Sequence, residues 1–364
     1  MVDFQRLAAR LGDAVSGEVR FDPGARAAYA ADASNYRQVP IGVVLPRSVE
    51  DIVAAVALAR EHGVPILPRG GGTSQCGQGV NAALVIDCSK YLHRVVSLDP
   101  AARLARVEPG AVCDALREAA ERHALTFAPD PATHSRCTLG GMIGNNSCGV
   151  HSVQAQHYGP GPRTEDQVLE LRVLTYDGVE LVVGAASDEE LERIIAGGGR
   201  RGEIYRGLRE IRDRYADRIR EKFPDIPRRV SGYNLPSLLP EHGFDVAKAL
   251  VGTEGTCVIV LEAKVTLIPD PPERVLLIMG YEDIYHAADH VPEILKHRPL
   301  GLEGMDDTLV DFMVRKGLNT QYLRYLPEGR GWLLAEFGGE TVAEAEAAAR
   351  EAKRALEASS SRLR

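Results

Sequence analysis

The chain has 364 residues, 45% of them hydrophobic, and a formal net charge of −8 at pH 7. A chain of this length can bury a large core and is expected to form about two domains. The acidic balance argues against nucleic acid as a partner, because nucleic-acid binders concentrate Lys and Arg on one face. No apolar run approaches the roughly eighteen residues of a membrane span. The first residues carry no signal-peptide pattern, so we expect a cytoplasmic protein without a membrane span.

The N-terminal part predicts the start of an α/β unit. Residues 3–11 predict a short amphipathic helix, and residues 18–40 are mostly irregular. A short apolar strand follows at 41–48, where Ser48 can cap the alanine-rich helix at 49–63. The next stretch, "VPILPRGGG" (64–72), is typical of a strand that runs into a glycine loop.

The middle of the chain predicts strands, a helix and a long irregular segment. Three short strand-like runs lie between residues 82 and 111 and are followed by a helix over 112–125. Residues 126–159 are dominated by Gly, Asn, Ser, Pro and His and predict a long loop. Compact domains rarely keep so long a loop without a function. A hairpin over 167–184 then turns at Asp177-Gly178.

The C-terminal part predicts a second, smaller domain. Helices at about 188–196 and 202–222 precede a tight glycine turn, "GTEGT" at 252–256, and a strong strand. The double proline at 271 and 272 marks a boundary, beyond which the pattern is β-α-β-α-β-α. We therefore predict an α+β chain with one domain over 1–270 and another over 271–364.

Three glycine-rich loops indicate a phosphate-containing ligand. The first, "PRGGGTSQCGQ", has no Lys after its glycines as a Walker loop requires, and its spacing does not fit the G-x-G-x-x-G fingerprint. The second is "LGGMIGNNSCG", and the third is the "GTEGT" turn. Glycine loops expose backbone N–H groups and let a ligand approach the main chain. Three of them are excessive for one phosphate and suit a long dinucleotide.

The order of these motifs resembles FAD-linked oxidoreductases of the vanillyl-alcohol oxidase and para-cresol methylhydroxylase superfamily. The stretches that carry the resemblance also include "VEPGA", "APDPATHSRC", "SGYNL" and "VGTEGTCVIVLEAKVTLIP", and they run from about residue 35 to about 315. They are most similar to the branch of D-lactate, glycolate and D-2-hydroxyglutarate dehydrogenases. The resemblance implies a two-subdomain FAD-binding domain of the para-cresol methylhydroxylase type over 1–270 and a partial substrate or cap domain over 271–364.

The resemblance also implies which residues bind the cofactor. Backbone N–H groups of the first loop would hold the pyrophosphate, and the other loops would follow the rest of the FAD. No His lies in the first loop, where some members attach the flavin covalently, so we expect noncovalent FAD. The implied cofactor-binding residues are Arg69, Gly70, Gly71, Gly72, Thr73, Ser74, Gln78, Gly79, Pro109, Gly110, Asp130, Thr133, Thr138, Gly140, Gly141, Ile143, Asn145, Asn146, Glu254, Gly255 and Ile259.

Oxidation of a 2-hydroxy acid needs a cation for the carboxylate and a base near the hydroxyl. Arg228 and Arg229, just before "SGYNL", are candidates for the cation, as is Arg37; an exposed arginine pair is the alternative for the first two. His134 and His151 are candidates for the base, and a purely structural histidine is the alternative for each.

The cysteines show no C-x-x-C pair, so a zinc finger or an iron–sulfur cluster within the chain is not expected. We expect reduced thiols at Cys76, Cys88, Cys113, Cys137, Cys148 and Cys257. His286 and His290 have the i,i+4 spacing of a helical metal pair, but neither a following Glu nor a third ligand is near, and no metal site is expected.

The chain ends at "EASSSRLR", whereas members of the family continue past the cap, and some add an iron–sulfur module. We therefore expect a truncated chain, a fragment of a longer fusion, or a short variant that uses a partner, with an iron–sulfur domain or subunit as electron acceptor. Two functions stay open, an FAD-dependent D-2-hydroxy acid dehydrogenase and a flavin-binding subunit that is inactive alone. A UDP-sugar reductase of the same superfamily fits less well, because "SGYNL" and "EGMD" resemble the hydroxy-acid branch.

Overall fold

The computed structural model describes residues 3–360, which form two compact units. The first unit takes residues up to 123, then 130–148 and 163–267. The second takes 124–129, 149–162 and the described residues from 268 onward. The assignment of 1–270 to flavin binding and of 271–364 to a cap stays a prediction.

The secondary structure is mixed, which confirms the predicted α+β class. The helices are α1 Phe4–Ala14, α2 Pro23–Ala28, α3 Val49–Glu61, α4 Cys113–Glu121, α5 Leu139–Asn145, α6 Ser152–Tyr158, α7 Thr164–Gln167, α8 Asp188–Ala196, α9 Gly199–Lys222, α10 Val246–Leu250, α11 Ile284–Asp289, α12 Val291–Leu295, α13 Asp307–Lys316 and α14 Val342–Ser360. The strands are β1 Glu18–Arg20, β2 Gly42–Leu45, β3 Ile66–Arg69, β4 Leu84–Asp87, β5 Val95–Asp99, β6 Leu104–Val107, β7 Leu125–Thr126, β8 Val168–Thr175, β9 Glu180–Val183, β10 Val258–Thr266, β11 Ile268–Pro269, β12 Glu273–Tyr281, β13 Gly301–Asp306 and β14 Gly331–Gly339. Short 3-10 turns lie at Leu235–Leu238, Pro240–His242 and Thr320–Tyr325.

The first sheet of the first unit has the strand order β1-β2-β4-β3. β4 pairs in parallel with both β2 and β3, and every residue of β2 and β4 is buried. Strands buried on both faces read as continuous apolar runs, as these do. The helix α3 begins where the hydroxyl of Ser48 accepts the N–H of Asp51 at 3.3 Å, as the sequence predicts.

The second sheet of the first unit is antiparallel, with the order β5-β6-β10-β8-β9. The predicted hairpin is confirmed: β8 and β9 are joined at a turn where Gly178 has φ 91°. One core joins the two sheets, since Leu174 and Ile259 of this sheet cluster with buried residues of α1, α3, β2 and β4. The same core holds in place the loops that leave β3 and enter β10.

The second unit contains an antiparallel sheet of order β12-β14-β13. Leu333, Ala335 and Phe337 of β14 pack in one core with Ala349 and Ala352 of α14. The predicted β-α-β-α-β-α order is confirmed, with its first helix divided between α11 and α12. Pro292 stands in the first turn of α12, where a missing N–H is tolerated, whereas a continuous helix would need that donor.

The segment 126–159 is not one long loop, because it contains α5 and α6. The hydroxyl of Thr138 caps α5 by accepting the N–H of Gly141, and Leu139, Met142 and Ile143 are buried. Asn146 ends the helix in the left-handed conformation at φ 53°. The prediction failed because glycines lower helix propensity, while burial of one apolar face overrides it.

Among the described residues, the structure contains no helix both long and apolar enough to cross a membrane.

Candidate functional site

A cavity of about 370 Å³ lies in the first unit, and the three predicted glycine-rich loops line it. The first loop leaves β3, the second contains α5, and the third connects α10 to β10. The predicted cofactor-binding residues among its lining are Arg69, Gly70, Gly71, Gly72, Thr73, Ser74, Gln78, Gly79, Pro109, Thr133, Thr138, Gly140, Gly141, Ile143, Asn145, Glu254, Gly255 and Ile259. Segments far apart in the chain therefore converge on one volume.

Arg69 organises the first loop through its side chain. Its guanidinium donates to the carbonyl oxygens of Tyr29 at 3.1 Å, Gly79 at 2.8 Å and Ala31 at 2.8 Å. One planar fork thus ties the two ends of the loop to each other and to the segment after α2. Gly72 turns the loop at φ 64°, in the left-handed region that glycine adopts without strain.

The first two loops approach each other so closely that no side chain fits between them at Gly70 and Gly71. A Cβ added to Gly71 would lie 2.2 Å from the carbonyl oxygen of Arg136, and one added to Gly70 would lie 2.0 Å from the hydroxyl oxygen of Thr138. These glycines therefore serve the contact between the cavity walls. That contact makes the main chain, rather than side chains, the surface of this wall.

A buried acceptor in the wall shows what kind of ligand the cavity fits. Gln78 donates through Nε2 to Glu254 Oε1 at 3.4 Å, and its own Oε1 is buried with no hydrogen-bond partner. Burial raises the pKa of Glu254, and the hydrogen bond from Gln78 opposes that shift. Such acceptors need N–H or O–H donors from a ligand. FAD carries both along its flavin ring and its ribityl chain, so the residues present fit it.

Three predicted cofactor residues lie outside the lining of this cavity. A Cβ on Gly110 would lie 2.2 Å from the carbonyl oxygen of Cys88, so this glycine packs against backbone. Asp130, 7% exposed, accepts from Arg117 at 3.2 Å. Asn146, 3% exposed, accepts the N–H of Glu165 through its side chain at 3.1 Å. Their direct role toward the cofactor stays a prediction.

The cavity has further lining residues beyond the predicted set. All but Cys88 and Leu250 lie within the motifs quoted from the sequence, and three are thiols; the set is Pro68, Gln75, Cys76, Cys88, Pro131, Ala132, Cys137, Met142, Gly144, Ser147, Leu250, Thr253, Val258 and Val260. The apolar members follow from the strand and helix periodicity next to each loop, but Cys88 carries no local signal.

Each candidate histidine is engaged by a carboxylate. In the first unit, His134 Nδ1 lies 2.7 Å from Asp114 Oδ1, and its side chain is 44% exposed. In the second unit, His151 Nε2 lies 2.6 Å from Glu336 Oε2. Arg274 donates to the same carboxylate at 2.7 Å. Neither histidine lines the cavity, and the role of each as a base stays a prediction.

Arg229 belongs to a buried polar network of the first unit. Its Nη2 donates to Asn234 Oδ1 at 3.0 Å and lies 3.9 Å from Glu165 Oε1, while Asn234 donates to the other oxygen of Glu165. Arg163 Nη1 lies 2.5 Å from Glu165 Oε1 and forms an ion pair with it. Burial raises the pKa of Glu165 to about 7 and lowers the pKa of Arg229.

The remaining candidates lie elsewhere in the described chain. Arg37 is exposed and forms an isolated bridge with Ala31, and neither it nor Arg228 lines the cavity. His286 Nδ1 donates to Asp283 Oδ1 at 2.8 Å, and His290 Nδ1 lies 2.7 Å from the carbonyl oxygen of His286. Within the described residues, no group of three or more His, Cys, Asp or Glu side chains could hold a metal ion.

Comparison with known proteins agrees with the geometry. Residues 40–184 match the family model described as an FAD binding domain. The chain is 33% identical over 340 residues to a D-2-hydroxyglutarate dehydrogenase of Pseudomonas putida. This match covers 91% of the present chain and 33% of that protein. The chain is 30% identical to the glycolate oxidase subunit GlcD of Bacillus subtilis, over 80% of this chain and 52% of that one. The chain thus spans a third to a half of the length of these relatives.

The fold also matches solved structures over nearly the whole chain. An alkyldihydroxyacetonephosphate synthase gives a TM-score of 0.65 at 18% identity, covering 98% of this chain and 60% of that one. The p-cresol methylhydroxylase with substrate bound gives 0.62 at 15% identity, covering 97% and 63%. Residues 40–184 therefore match an FAD-binding domain, and the chain shares its fold with these two proteins.

Proposed function

We propose that the chain is the flavin-binding part of a dehydrogenase that oxidises a small D-2-hydroxy acid, of the lactate, glycolate or 2-hydroxyglutarate type, to the 2-oxo acid. The observation that carries this proposal is the similarity to a D-2-hydroxyglutarate dehydrogenase over 91% of the chain. When bound, FAD supplies a hydride acceptor at N5 of its ring. The protein then has to hold the cofactor, orient the substrate and remove its hydroxyl proton.

The cofactor is held by the cavity of the first unit in this proposal. Backbone N–H groups of residues 70–74 bind the pyrophosphate, with the hydroxyls of Thr73 and Ser74 as further donors. Gln78, at the end of the same loop, and Glu254 of the third loop supply side-chain contacts, among them the free acceptor of Gln78. No histidine lines this cavity among the described residues, and FAD is bound without a covalent bond to the protein.

The substrate carboxylate requires a cation, and the candidates are Arg228, Arg229 and Arg37. Arg229 already donates to Asn234 and is half-buried beside Glu165. It can bind a carboxylate only through the part of its guanidinium that this network does not use. Arg37 is exposed and less constrained. Substitution of each by Ala, with flavin content as the control, separates these roles.

The proton of the substrate hydroxyl requires a base, for which His134 and His151 are the candidates. A carboxylate next to an imidazole orients the ring, as a general base requires. Asp114 does this for His134 and Glu336 for His151. Arg274 also donates to the Glu336 carboxylate, so His151 shares its carboxylate with an arginine. His134 is therefore the better placed of the two candidates.

The alternative is a flavin-binding subunit or fragment of a larger flavin and iron–sulfur complex that is inactive alone. The similarity to a protein named as a glycolate oxidase subunit supports it. In that case an iron–sulfur domain or subunit is the electron acceptor, and residues of another segment complete the substrate site.

Anaerobic stopped-flow reduction of the FAD-loaded chain tests the proposal. D-lactate, glycolate and D-2-hydroxyglutarate are mixed with the holoprotein, and L-lactate serves as the enantiomer control. Saturable bleaching of the flavin by one of the D-acids or glycolate, but not by L-lactate, is expected. A fully FAD-loaded chain that no 2-hydroxy acid bleaches would contradict the activity and leave the subunit alternative.

A further inference from the structure

Cys113 and Cys137 face each other across an antiparallel contact in the first unit. The isolated bridge between Val112 and Thr138 places these two residues in direct opposition, and the N–H of Cys113 donates to the carbonyl oxygen of Cys137 at 3.0 Å. Directly paired residues of antiparallel strands, as Val112 and Thr138 are, have Cα atoms about 4.5–5.5 Å apart. Disulfides span roughly 4.4–6.8 Å between Cα atoms, so two cysteines next to such a pair and joined by a backbone hydrogen bond are placed for a bridge.

The two thiols also contact each other directly. A hydrogen bond joins their side chains, and it lowers the pKa of Cys137, with a further contribution from the hydroxyl of Thr133. The pKa of Cys113 is raised by the same hydrogen bond and by burial. The hydroxyl of Thr133 thus favours the thiolate of Cys137, which lines the cavity, and the thiolate is the nucleophile in thiol oxidation.

The position of the pair links it to the cavity. Cys113 is 0% exposed and Cys137 5% exposed, so neither meets solvent on the outer surface. Cys137, however, lines the cavity that fits FAD. An oxidant reaches its sulfur through that cavity and has to pass the volume that the cofactor fills.

We propose that Cys113 and Cys137 form an oxidisable dithiol in the wall of the FAD cavity, which a small peroxide converts to a disulfide when the cavity holds no cofactor. The Cys137 thiolate attacks one oxygen of hydrogen peroxide, giving a sulfenic acid and hydroxide. The Cys113 sulfur then attacks the Cys137 sulfur and displaces its oxygen as water. Two thiols lose two electrons, the peroxide becomes two waters, and the thiol protons complete those waters.

Peptide mapping after peroxide treatment tests the proposal on the whole chain. Trypsin places Cys113 in the peptide 107–117 and Cys137 in the peptide 137–163, which also holds Cys148, so the Cys148→Ser variant is used beside the wild type. The FAD-free protein is expected to give the two peptides joined, about 2 Da below their summed mass. With free FAD at about ten times its Kd, joining is expected to slow roughly tenfold, because the cavity is open in about a tenth of the molecules.

Cys88 is the internal control. It also lines the cavity and is buried, but burial raises its pKa to about 12 and no thiol is its hydrogen-bond partner in that shift. It should stay reduced while the pair is oxidised. Oxidation of the exposed Cys76 and Cys257 with the pair still reduced, or a link between Cys76 and Cys137, would overturn the proposal. Joining at the same rate with and without FAD would overturn the route through the cavity.

Discussion

A single methyl group at Gly71 is expected to weaken FAD binding. Its Cβ would lie 2.2 Å from the carbonyl oxygen of Arg136 and 3.1 Å from that carbonyl carbon. Contacts of Cβ below 3.0 Å essentially do not occur, so the two cavity walls must separate by about 0.8 Å or more. The obstacle is backbone, which cannot rotate away as a side chain can. Overpacking of this kind costs about 1–3 kcal/mol.

That cost falls on the walls that fit the cofactor. When this free energy is lost from the FAD-bound form, Gly71→Ala binds FAD roughly tenfold to a hundredfold more weakly. The conversion takes about 1.4 kcal/mol for each factor of ten in affinity. Titration of the FAD-free chain with FAD, followed by the quenching of flavin fluorescence, measures the affinity. Urea unfolding of the same protein measures its stability. Gly12→Ala is the matched control, because an added Cβ there meets nothing within 4 Å. A Gly71→Ala protein with wild-type affinity and wild-type urea midpoint would refute the reasoning.

Three further substitutions test other parts of the account. Arg69→Lys is expected to lose about 1–3 kcal/mol and to bind FAD more weakly, because an ammonium cannot serve three separate carbonyls; urea unfolding and FAD titration measure both. Glu165→Gln is expected to become more stable relative to wild type as the pH rises from about 5 to about 8. Burial raises the pKa of Glu165 to about 7, so the folded wild type holds a proton that the unfolded chain has released, and its stability falls through this window, by up to about 3 kcal/mol. Glu336→Gln is expected to cost about 1–3 kcal/mol at neutral pH and less in acid. Burial alone would raise the pKa of Glu336, but His151 and Arg274 hold it below its usual range, so the stabilisation is lost as the pH falls through that lowered value. The free energy of unfolding in urea, measured as a function of pH, tests both predictions.

Each of these variants has a control or an outcome that would contradict it. Glu346→Gln, on an exposed pair with Arg350, matches the charge change of Glu336→Gln and should alter stability by less than about 1 kcal/mol. A stability difference between Glu165→Gln and wild type that stays constant with pH would mean that the buried carboxyl does not titrate there. If Arg69→Lys leaves stability and FAD affinity unchanged, the guanidinium does not organise the first loop.

Local sequence signals predicted most elements and all three loops of the cavity. Ser48 before an alanine-rich run predicts the start of α3, and Asp177-Gly178 predicts the hairpin turn, because caps and turns depend on neighbouring residues. The glycines at 70–72 predict a ligand close to the main chain, which stays a prediction; the contact that the structure shows at Gly71 is with the carbonyl of Arg136. Signals of this kind act within a few residues, and the sequence displays them directly.

The contacts that the sequence did not show join residues far apart in the chain. Arg69 ties the carbonyls of Tyr29 and Ala31, and Asn234 lies against Glu165, 69 positions away. Periodicity and spacing carry no information on such pairs, since they depend on how the sheets pack. The same limit explains why the sequence predicts a loop where α5 forms. The stability of α5 comes from the burial of its apolar face, not from its glycine-rich sequence.

We propose that the first unit holds FAD noncovalently in the cavity between its three glycine-rich loops. The flavin content of the purified chain, read from its visible absorbance before and after acid precipitation, tests this directly. We expect flavin that binds at about one per chain and passes into the acid supernatant as FAD. A chain that takes up no added FAD, or one whose flavin stays with the precipitate, would contradict it.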